Sequence, residues 1–330
     1  MIAPDVRYVD GSLRAELASL RPYVLVTDPT PFELYAADIE PGPDRVFTCT
    51  SLERSHLRAR LADIGGGHTV VGLGGGTVLD AAKYLACDSA RPLVLVPTIA
   101  STNTAFTPFA SVRENGSPVG SALADLRWKV VVDLGLIRRA DPRLNRAGFG
   151  DLLGLATATA DVRLAAQQGR GPAVDGELLA AADDVVARAL SLADEVGRVS
   201  DDGLRSLVEL LVAWSELTES CLGLGAGTEH LFAWNLERVT GRTFLHGEVV
   251  GLGVVVASQL QAGGSESLRE ALDRARVPWR PTQLGVDRSE LAATLETIAD
   301  YNEAARRIPS VVDTAAWHRS RLPALWEALG

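Results

Sequence analysis

The sequence contains little cysteine, no cluster of basic residues and no apolar segment of membrane-spanning length. Its three cysteines, Cys49, Cys87 and Cys221, are far apart and form no CxxC pair. We therefore expect buried, reduced thiols rather than a disulfide or a zinc knuckle. The formal net charge is −10, and the lack of a basic patch argues against nucleic acid or an anionic membrane as a partner.

Apolar segments are short. The longest one in the C-terminal half, residues 249–257, is too short for a bilayer, and the N-terminal residues show no apolar signal segment. These features predict a cytoplasmic protein. With 330 residues, of which 47% are hydrophobic and 22% charged, the chain has the composition of a folded protein of two domains.

The first half of the chain alternates β-branched segments with helical stretches. Strands are predicted at residues 23–27, 68–73, 93–97 and 129–134, and helices at 52–64 and 77–86. Continuous apolar strands that alternate with helices favour a parallel sheet covered on both faces. The pair Asn115-Gly116 between two short β segments indicates a hairpin.

The second half has no strand signal after about residue 146. Helical patterns follow at 150–168, 173–197, 202–221, 227–239, 247–261, 289–305 and 314–328. The sequence thus predicts a Rossmann-like α/β domain over residues 1–147 and an all-helical domain over residues 148–330.

A glycine-rich loop, residues 72–77 (GLGGGT), joins a predicted strand to a predicted helix. Glycines at Gly74, Gly75 and Gly76 would let the backbone approach a diphosphate, while the first N–H groups of the helix face the anion. The alternative is a plain tight turn. The spacing fits neither a P-loop nor the usual dinucleotide fingerprint, so the strand–loop–helix context carries the prediction.

Asp28 ends the first predicted strand. A carboxylate at that place would accept hydrogen bonds from a ribose diol and repel a 2′-phosphate, which favours NAD over NADP. The alternative is an aspartate that forms a turn before Pro29.

Two histidines and one aspartate of the second half form a candidate metal site. His230 and His246 each precede a predicted helical run, and Asp151 stands at the start of the predicted helix 150–168. Two imidazoles and a carboxylate with an open position are a common catalytic zinc set that also suits Fe(II). A lone histidine is more often an ordinary polar side chain, so spacing alone leaves both interpretations open.

Four motifs in this order resemble the iron-containing alcohol dehydrogenase superfamily, which includes glycerol dehydrogenases, sn-glycerol-1-phosphate dehydrogenases and dehydroquinate synthases. The motifs are GGGTVLDAAK (residues 74–83), PTIAST (97–102), GFGD (148–151) and HGE (246–248). The glycerol-1-phosphate dehydrogenases are the most similar members over residues 133–151 and 229–253. The resemblance implies a dehydroquinate synthase-like fold and a homo-oligomer.

The resemblance also implies roles for individual residues. Asp151, His230 and His246 would bind Zn²⁺, or Fe²⁺ or another divalent ion. The glycine trio would hold the diphosphate of NAD or NADP. Further cofactor contacts are implied for residues of the same domain, namely Thr98, Ser101, Thr107 and Asp80, although Asp80 and Lys83 equally fit a role in stabilising their helix.

Asn103 departs from the family pattern, which has an aspartate close to the substrate at this position. An amide orients a hydroxyl but cannot take a proton, so Asn103 is a catalytic-site candidate that puts glycerol or its phosphate in doubt as a substrate. Arg306 and Arg307 lie in a poorly matching segment; they either bind a phosphate or are solvated helix residues.

The expected function is a metal-dependent, NAD(P)-linked alcohol dehydrogenase acting on a small polyol or polyol phosphate. One alternative is a dehydroquinate synthase-type lyase or cyclase that reduces NAD transiently. Others are a specialised biosynthetic alcohol dehydrogenase or carbonyl reductase, and a non-catalytic binding protein.

Overall fold

The computed structural model describes residues 3–11, 13–40, 42–64, 66–123, 126–171, 174–261, 266–314 and 318–330. The chain divides into two compact units, Met1–Asp141 and Pro142–Gly330. The boundary expected after residue 147 falls within the helix Pro142–Leu152 of the second unit.

The first unit is built on a six-stranded sheet of β1 (Asp5–Val9), β2 (Tyr23–Thr27), β3 (Arg45–Thr48), β4 (Thr69–Gly74), β5 (Leu93–Pro97) and β8 (Trp128–Asp133). The order across the sheet is β1-β8-β5-β4-β2-β3, and all six strands are parallel. The antiparallel hairpin of β6 (Phe109–Glu114) and β7 (Ser117–Ala122) lies outside this sheet. The helices of the first unit are α1 (Leu13–Ser19), α2 (Pro29–Leu34), α3 (Arg54–Ala59), α4 (Gly76–Ser89) and α5 (Leu134–Arg139).

The central strands β2, β4 and β5 form the core of the first unit. Their apolar side chains are almost entirely buried, for example those of Leu25, Val71 and Val96. Burial of one such side chain contributes about 1.5–3 kcal/mol, which explains why continuous apolar runs identified these strands. The outer strands β1 and β3 are largely exposed and the apolar pattern did not reveal them.

The hairpin signal is confirmed by a tight two-residue turn. Asn115 and Gly116 both have positive φ, 51° and 78°, and β6 pairs with β7 from Glu114–Ser117 outward. Two consecutive positive φ angles match the twist of the flanking strands.

The described residues of the second unit form helices and their connecting loops, without a β-strand. Its helices are α6 (Pro142–Leu152), α7 (Gly154–Gln167), α8 (Gly176–Arg198), α9 (Asp201–Ser220), α10 (Thr228–Thr240), α11 (His246–Leu260), α12 (Glu266–Arg274), α13 (Arg288–Tyr301) and α14 (Leu322–Leu329). A π-helical turn, Asn302–Arg306, extends α13.

Two helix predictions of the second unit were wrong in detail. The predicted helix 150–168 is two helices, because α6 ends at Leu152 and α7 begins at Gly154. The predicted helix 314–328 begins only at Leu322, and its residues 315–317, like residue 173 of the predicted helix 173–197, lie outside the described residues.

Among the described residues, the helices are too short or too polar to cross a membrane. All three cysteines are free. The expectation that they are buried holds for Cys49 only, since Cys87 is exposed and Cys221 is half-buried. Cys87 lies in the last turn of α4, after Ala86, the last buried residue of that helix.

Candidate active site

Asp151, His230 and His246 lie together in the second unit. Oδ1 of Asp151 is 3.2 Å from Nε2 of His230 and 3.4 Å from Nε2 of His246. One ligand atom from each of the three side chains lies within 4.8 Å of the others. Asp151 and His230 are buried, whereas the side chain of His246 is 39% exposed, so the group opens on the side of His246.

Three different helices supply these side chains. His230 lies in the first turn of α10 and His246 is the first residue of α11. Asp151 lies in the last turn of α6. The prediction that it stands at the start of a helix was wrong. Its carboxylate therefore meets two helix N-termini, whose dipoles favour a negative charge.

Glycines of the GFGD and HGE motifs allow α6 and α11 to touch backbone to backbone. A Cβ on Gly247 would lie 1.7 Å from the carbonyl oxygen of Ala147, and one on Gly150 would lie 2.1 Å from the carbonyl oxygen of Gly247. Any side chain at either position would force the helices apart. The glycines thus bring Asp151 within reach of His246.

Glu248 of the HGE motif fixes the same helix contact. Its buried carboxylate receives two hydrogen bonds from Arg143 on α6, at 2.5 and 2.8 Å. Such a two-point pair adds geometric constraint as well as charge attraction. Glu248 therefore links the start of α11 to the helix that carries Asp151.

Glu229 is a functional candidate that the sequence did not reveal. Its fully buried carboxylate lies 2.8 Å from Nδ1 of His230 through Oε1 and accepts a hydrogen bond from Thr157 through Oε2. A carboxylate on Nδ1 keeps the proton there and leaves Nε2 free to bind a metal. The adjacent glutamate in the sequence TEH was a possible signal, but only the fold shows which atom it contacts.

The charges within the group shift its pKa values. Burial would lower the pKa of His230, but the carboxylates of Asp151 and Glu229 raise it to about 10. Burial would raise the pKa of Asp151, but the two imidazoles hold it well below its ordinary value. The carboxylates thus favour an imidazole protonated on both nitrogens, and a bound metal ion would displace the proton on Nε2 of His230.

A second buried carboxylate lies behind Glu229. Asp161 accepts hydrogen bonds from the backbone N–H groups of Thr228 and Val311 and from the amide of Gln261. Burial, and then the charge of Glu229, raise the pKa of Asp161 to about 6.

Two tryptophans flank His230. The ring of Trp214 lies 6.4 Å and that of Trp234 lies 5.5 Å from the imidazole, measured between centroids. Trp214 is buried and its indole N–H donates to the carbonyl of Leu224, so it fixes one side of His230. Trp234 is half-buried.

The glycine loop of the first unit connects β4 to α4. β4 ends at Gly74, Gly75 precedes the helix, and Gly76 is its first residue. Gly75 has φ −85°, so it is not there for a left-handed turn; a Cβ on it would lie 2.7 Å from Ile99. The free N–H groups at the start of α4 therefore stand beside the loop that follows β5.

That second loop contains three further predicted cofactor contacts. Thr98, Ser101 and Thr107 are buried, and the N–H of Thr98 donates to the carbonyl of Gly74. Asn103 is half-buried, and its side chain makes no capping hydrogen bond to the 3₁₀ turn Thr104–Phe106 that follows it. Its amide is therefore available to a ligand.

Lys83 of α4 fixes this loop through hydrogen bonds to its backbone. Its fully buried ammonium donates to the carbonyl oxygens of Thr104, Thr107 and Phe109 and pairs with Asp80 at 2.9 Å. The other oxygen of Asp80 accepts from the N–H of Ser111. Burial lowers the pKa of Lys83, and Asp80 opposes that shift. These contacts give Asp80 a structural role in the first unit, and its contact with the cofactor stays a prediction.

Asp28 follows β2, the neighbour of β4 at the same edge of the sheet. Its carboxylate accepts from the N–H of Thr30 and caps α2. Burial raises its pKa. The turn-forming role considered above is thus present, and one carboxylate oxygen stays available for a ribose.

Comparison with known proteins bears on both units. The family model described as iron-containing alcohol dehydrogenase matches residues 16–141. The chain is 33% identical over 259 residues to the glycerol-1-phosphate dehydrogenase (NAD(P)+) of Aeropyrum pernix, which covers 77% of this chain and 70% of that protein.

Solved structures share the fold over nearly the whole chain. A probable glycerol dehydrogenase from Sinorhizobium meliloti 1021 superposes with a TM-score of 0.76 at 23% identity, covering 99% of this chain and 96% of that one. Sulfoacetaldehyde reductase from Bifidobacterium kashiwanohense, solved in complex with NAD+, gives 0.72 at 15% identity with the same coverage. The predicted fold class is confirmed.

The fold and the sequence similarity define an oxidoreductase of the alcohol dehydrogenase type. The chain belongs to the iron-containing alcohol dehydrogenase family, as the motifs of both units had indicated.

Proposed function

We propose that this chain is a metal-dependent, NAD(P)-linked oxidoreductase that interconverts a small polyol phosphate and its ketone or aldehyde. The convergence of Asp151, His230 and His246 carries the proposal, because two imidazole nitrogens and a carboxylate oxygen gather at one accessible point. The similarity to glycerol-1-phosphate dehydrogenase (NAD(P)+) supports both the substrate class and the cofactor.

The donor set fits a divalent ion. Nitrogen and carboxylate oxygen ligands suit Zn²⁺ and Fe²⁺, and Glu229 orients His230 as metal-ligating histidines require. Zn²⁺ is the ion we propose, with Fe²⁺ as the alternative. When bound, the ion supplies Lewis acidity that lowers the pKa of a substrate hydroxyl and polarises a carbonyl.

The protein's own residues would position the substrate and the cofactor. Asp151, His230 and His246 fix where the substrate oxygen sits, and the buried surroundings of Asp151 and His230 limit water there. In the first unit, Gly74, Gly75 and the start of α4 would bind the diphosphate of the cofactor through backbone N–H groups.

Five side chains of the first unit would supply further cofactor and substrate contacts. Asp28 would accept hydrogen bonds from the ribose diol, which makes NAD the preferred cofactor. Thr98, Ser101 and Thr107 would line the nicotinamide side, and Asn103 would orient a substrate hydroxyl or carbonyl through its amide. The proposal also includes a homo-oligomer in the cytoplasm, which sedimentation and cell fractionation would test.

The test is turnover by metal-reconstituted protein with polyols, polyol phosphates and their ketones, followed by the absorbance of NADH and NADPH. Net reduction of added NAD⁺ supports a dehydrogenase. A reaction that consumes substrate without net NADH would instead indicate a lyase or cyclase with transient reduction.

The His246→Ala variant tests the ligand set directly. Loss of a ligand should release the ion and abolish turnover. Because the side chain of His246 is partly exposed, the variant should keep its fold. Metal content by atomic absorption and circular dichroism would show this. If the variant retains the full metal content and rate, His246 does not bind the metal.

A further inference from the structure

Arg306 is a half-buried cation close to the candidate metal site. Its guanidinium carbon lies 4.2 Å from the centre of the Trp234 ring, and the Trp234 ring lies 5.5 Å from the imidazole of His230. Only one indole ring thus separates the guanidinium from a proposed metal ligand. Stacking on an indole holds the planar guanidinium in a fixed orientation.

Among the residues that the structure describes, Arg306 uses only part of its hydrogen-bonding capacity. Its Nε donates to the hydroxyl of Tyr301 at 3.1 Å. Within the described parts of the chain, no carboxylate forms an ion pair with Arg306, whereas Arg143, Arg170 and Arg242 of the same unit each pair with one. The two terminal nitrogens are therefore available as a two-pronged donor for an oxyanion.

The segment that carries Arg306 is rigidly tied to the helix that carries His230. The buried side chain of Asn302 clamps the π-helical turn through hydrogen bonds with both backbone groups of Ile308. Beyond it, the hydroxyl of Ser310 contacts that of Thr228, the first residue of α10, at 2.6 Å. Arg306 and His230 are thus held in one framework, and a π-helical turn is a frequent feature of functional sites.

We infer that Arg306 is the phosphate-recognising residue of the substrate site. The inference rests on the proposed function and assigns the substrate class: a short alcohol or ketone with a phosphate monoester at its far end. Its oxygen function would lie at Asp151, His230 and His246 while its phosphate meets the guanidinium. A guanidinium fork suits the geometry of a phosphate better than a lysine ammonium does.

The neighbouring arginine provides a matched control. Arg307 is exposed, and its Nε donates to the backbone carbonyl of Glu303. Arg307 directly follows the turn, so Arg307→Gln removes the same charge from the neighbouring position and leaves the contact of Arg306 with Trp234 in place. Arg306→Lys keeps the charge but loses the fork.

The kinetic test compares dihydroxyacetone phosphate with dihydroxyacetone. Arg306→Gln should lower the ratio of kcat/KM for the phosphorylated over the unphosphorylated substrate by about tenfold or more, the size expected for a charge-assisted hydrogen bond. Arg307→Gln should leave that ratio as it is, and Arg306→Lys should fall between. Equal losses on both substrates, or an equal effect of Arg307→Gln, would overturn the inference.

A binding test separates this inference from the proposed function. Inorganic phosphate is titrated into metal-loaded protein by calorimetry, with NAD and NADP titrated in parallel. We expect phosphate to bind the native chain and the Arg307→Gln variant with the same affinity. It should bind the Arg306→Gln variant at least about tenfold more weakly. Both results are expected even if neither substrate is turned over. No binding to the native chain, or unchanged binding to Arg306→Gln, refutes the role. Weakened NAD or NADP binding by Arg306→Gln would instead assign the anion to the cofactor.

Discussion

Oε1 of Glu229 lies 2.8 Å from Nδ1 of His230, and the backbone N–H of Gly227 donates to the same oxygen at 2.7 Å. The carboxylate is therefore held in place before it orients the imidazole. This relationship directs Nε2 of His230 towards Asp151 and gives the proposed metal centre a fixed geometry.

The Glu229→Gln variant should bind Zn²⁺ about tenfold to a hundredfold more weakly, because the imidazole loses the charged acceptor on Nδ1. Competition with a chromogenic chelator measures this affinity. Glu216→Gln, on an exposed face of α9, is the control and should match the native chain. Native-like zinc affinity in Glu229→Gln would show that Glu229 does not support the metal centre.

Asp161 makes stability depend on pH. Its folded pKa of about 6 lies above the ordinary value of 3.8, so the folded chain holds this proton more tightly than the unfolded chain. The stabilising effect of that proton is complete below about pH 4 and is lost as the pH rises to about 6 and beyond, a loss on the order of 2–3 kcal/mol.

Urea unfolding of the native chain and of Asp161→Asn at about pH 4.5 and pH 7.5 tests this linkage. The variant cannot ionise there, so the native chain should lose stability relative to it as the pH rises. A difference between the two proteins that is the same at both pH values would contradict the shifted pKa.

Gly76→Ala isolates the role of the glycine loop. A Cβ at Gly76 would lie 3.5 Å from its nearest neighbour, an ordinary contact, whereas one at Gly75 would collide with Ile99. The alanine should leave stability unchanged, since Gly76 is the first residue of α4 and alanine favours helix. The dissociation constant of NAD should nevertheless rise about tenfold, or about 1.4 kcal/mol. Unchanged NAD binding by calorimetry would remove this loop from the cofactor site.

Asn103→Asp should reorder the substrates. The native amide is not used for capping, and an aspartate would add a charge and a proton acceptor beside the substrate. We expect poor native activity on glycerol, and a change of about tenfold in relative kcat/KM across a panel of alcohols in the variant, which equals about 1.4 kcal/mol. If both proteins rank every alcohol alike, Asn103 does not contact the substrate.

Local patterns were sufficient for the central strands and the glycine loop. Burial on both faces makes β2, β4 and β5 continuously apolar, and a glycine run between strand and helix is visible within a few residues. The candidate ligands Asp151, His230 and His246 could be identified because short motifs contain them. The structure groups these three side chains.

The edges of the sheet and the ends of helices were not determined locally. β1 is exposed along most of its length and is stabilised by pairing with β8, more than a hundred residues away. Asp151 was assigned to a helix start because nothing near it in sequence indicates that α6 ends at Leu152.

The sequence by itself determined the class of fold and the residue types available for metal and cofactor, because these depend on hydrophobic periodicity and on short motifs. Only the tertiary structure decided which groups support them. Glu229 meets Thr157, Lys83 meets the loop at Thr104, and Arg306 meets Trp234. Each of these contacts joins residues at least 21 positions apart, and tertiary packing, not local preference, brings them together.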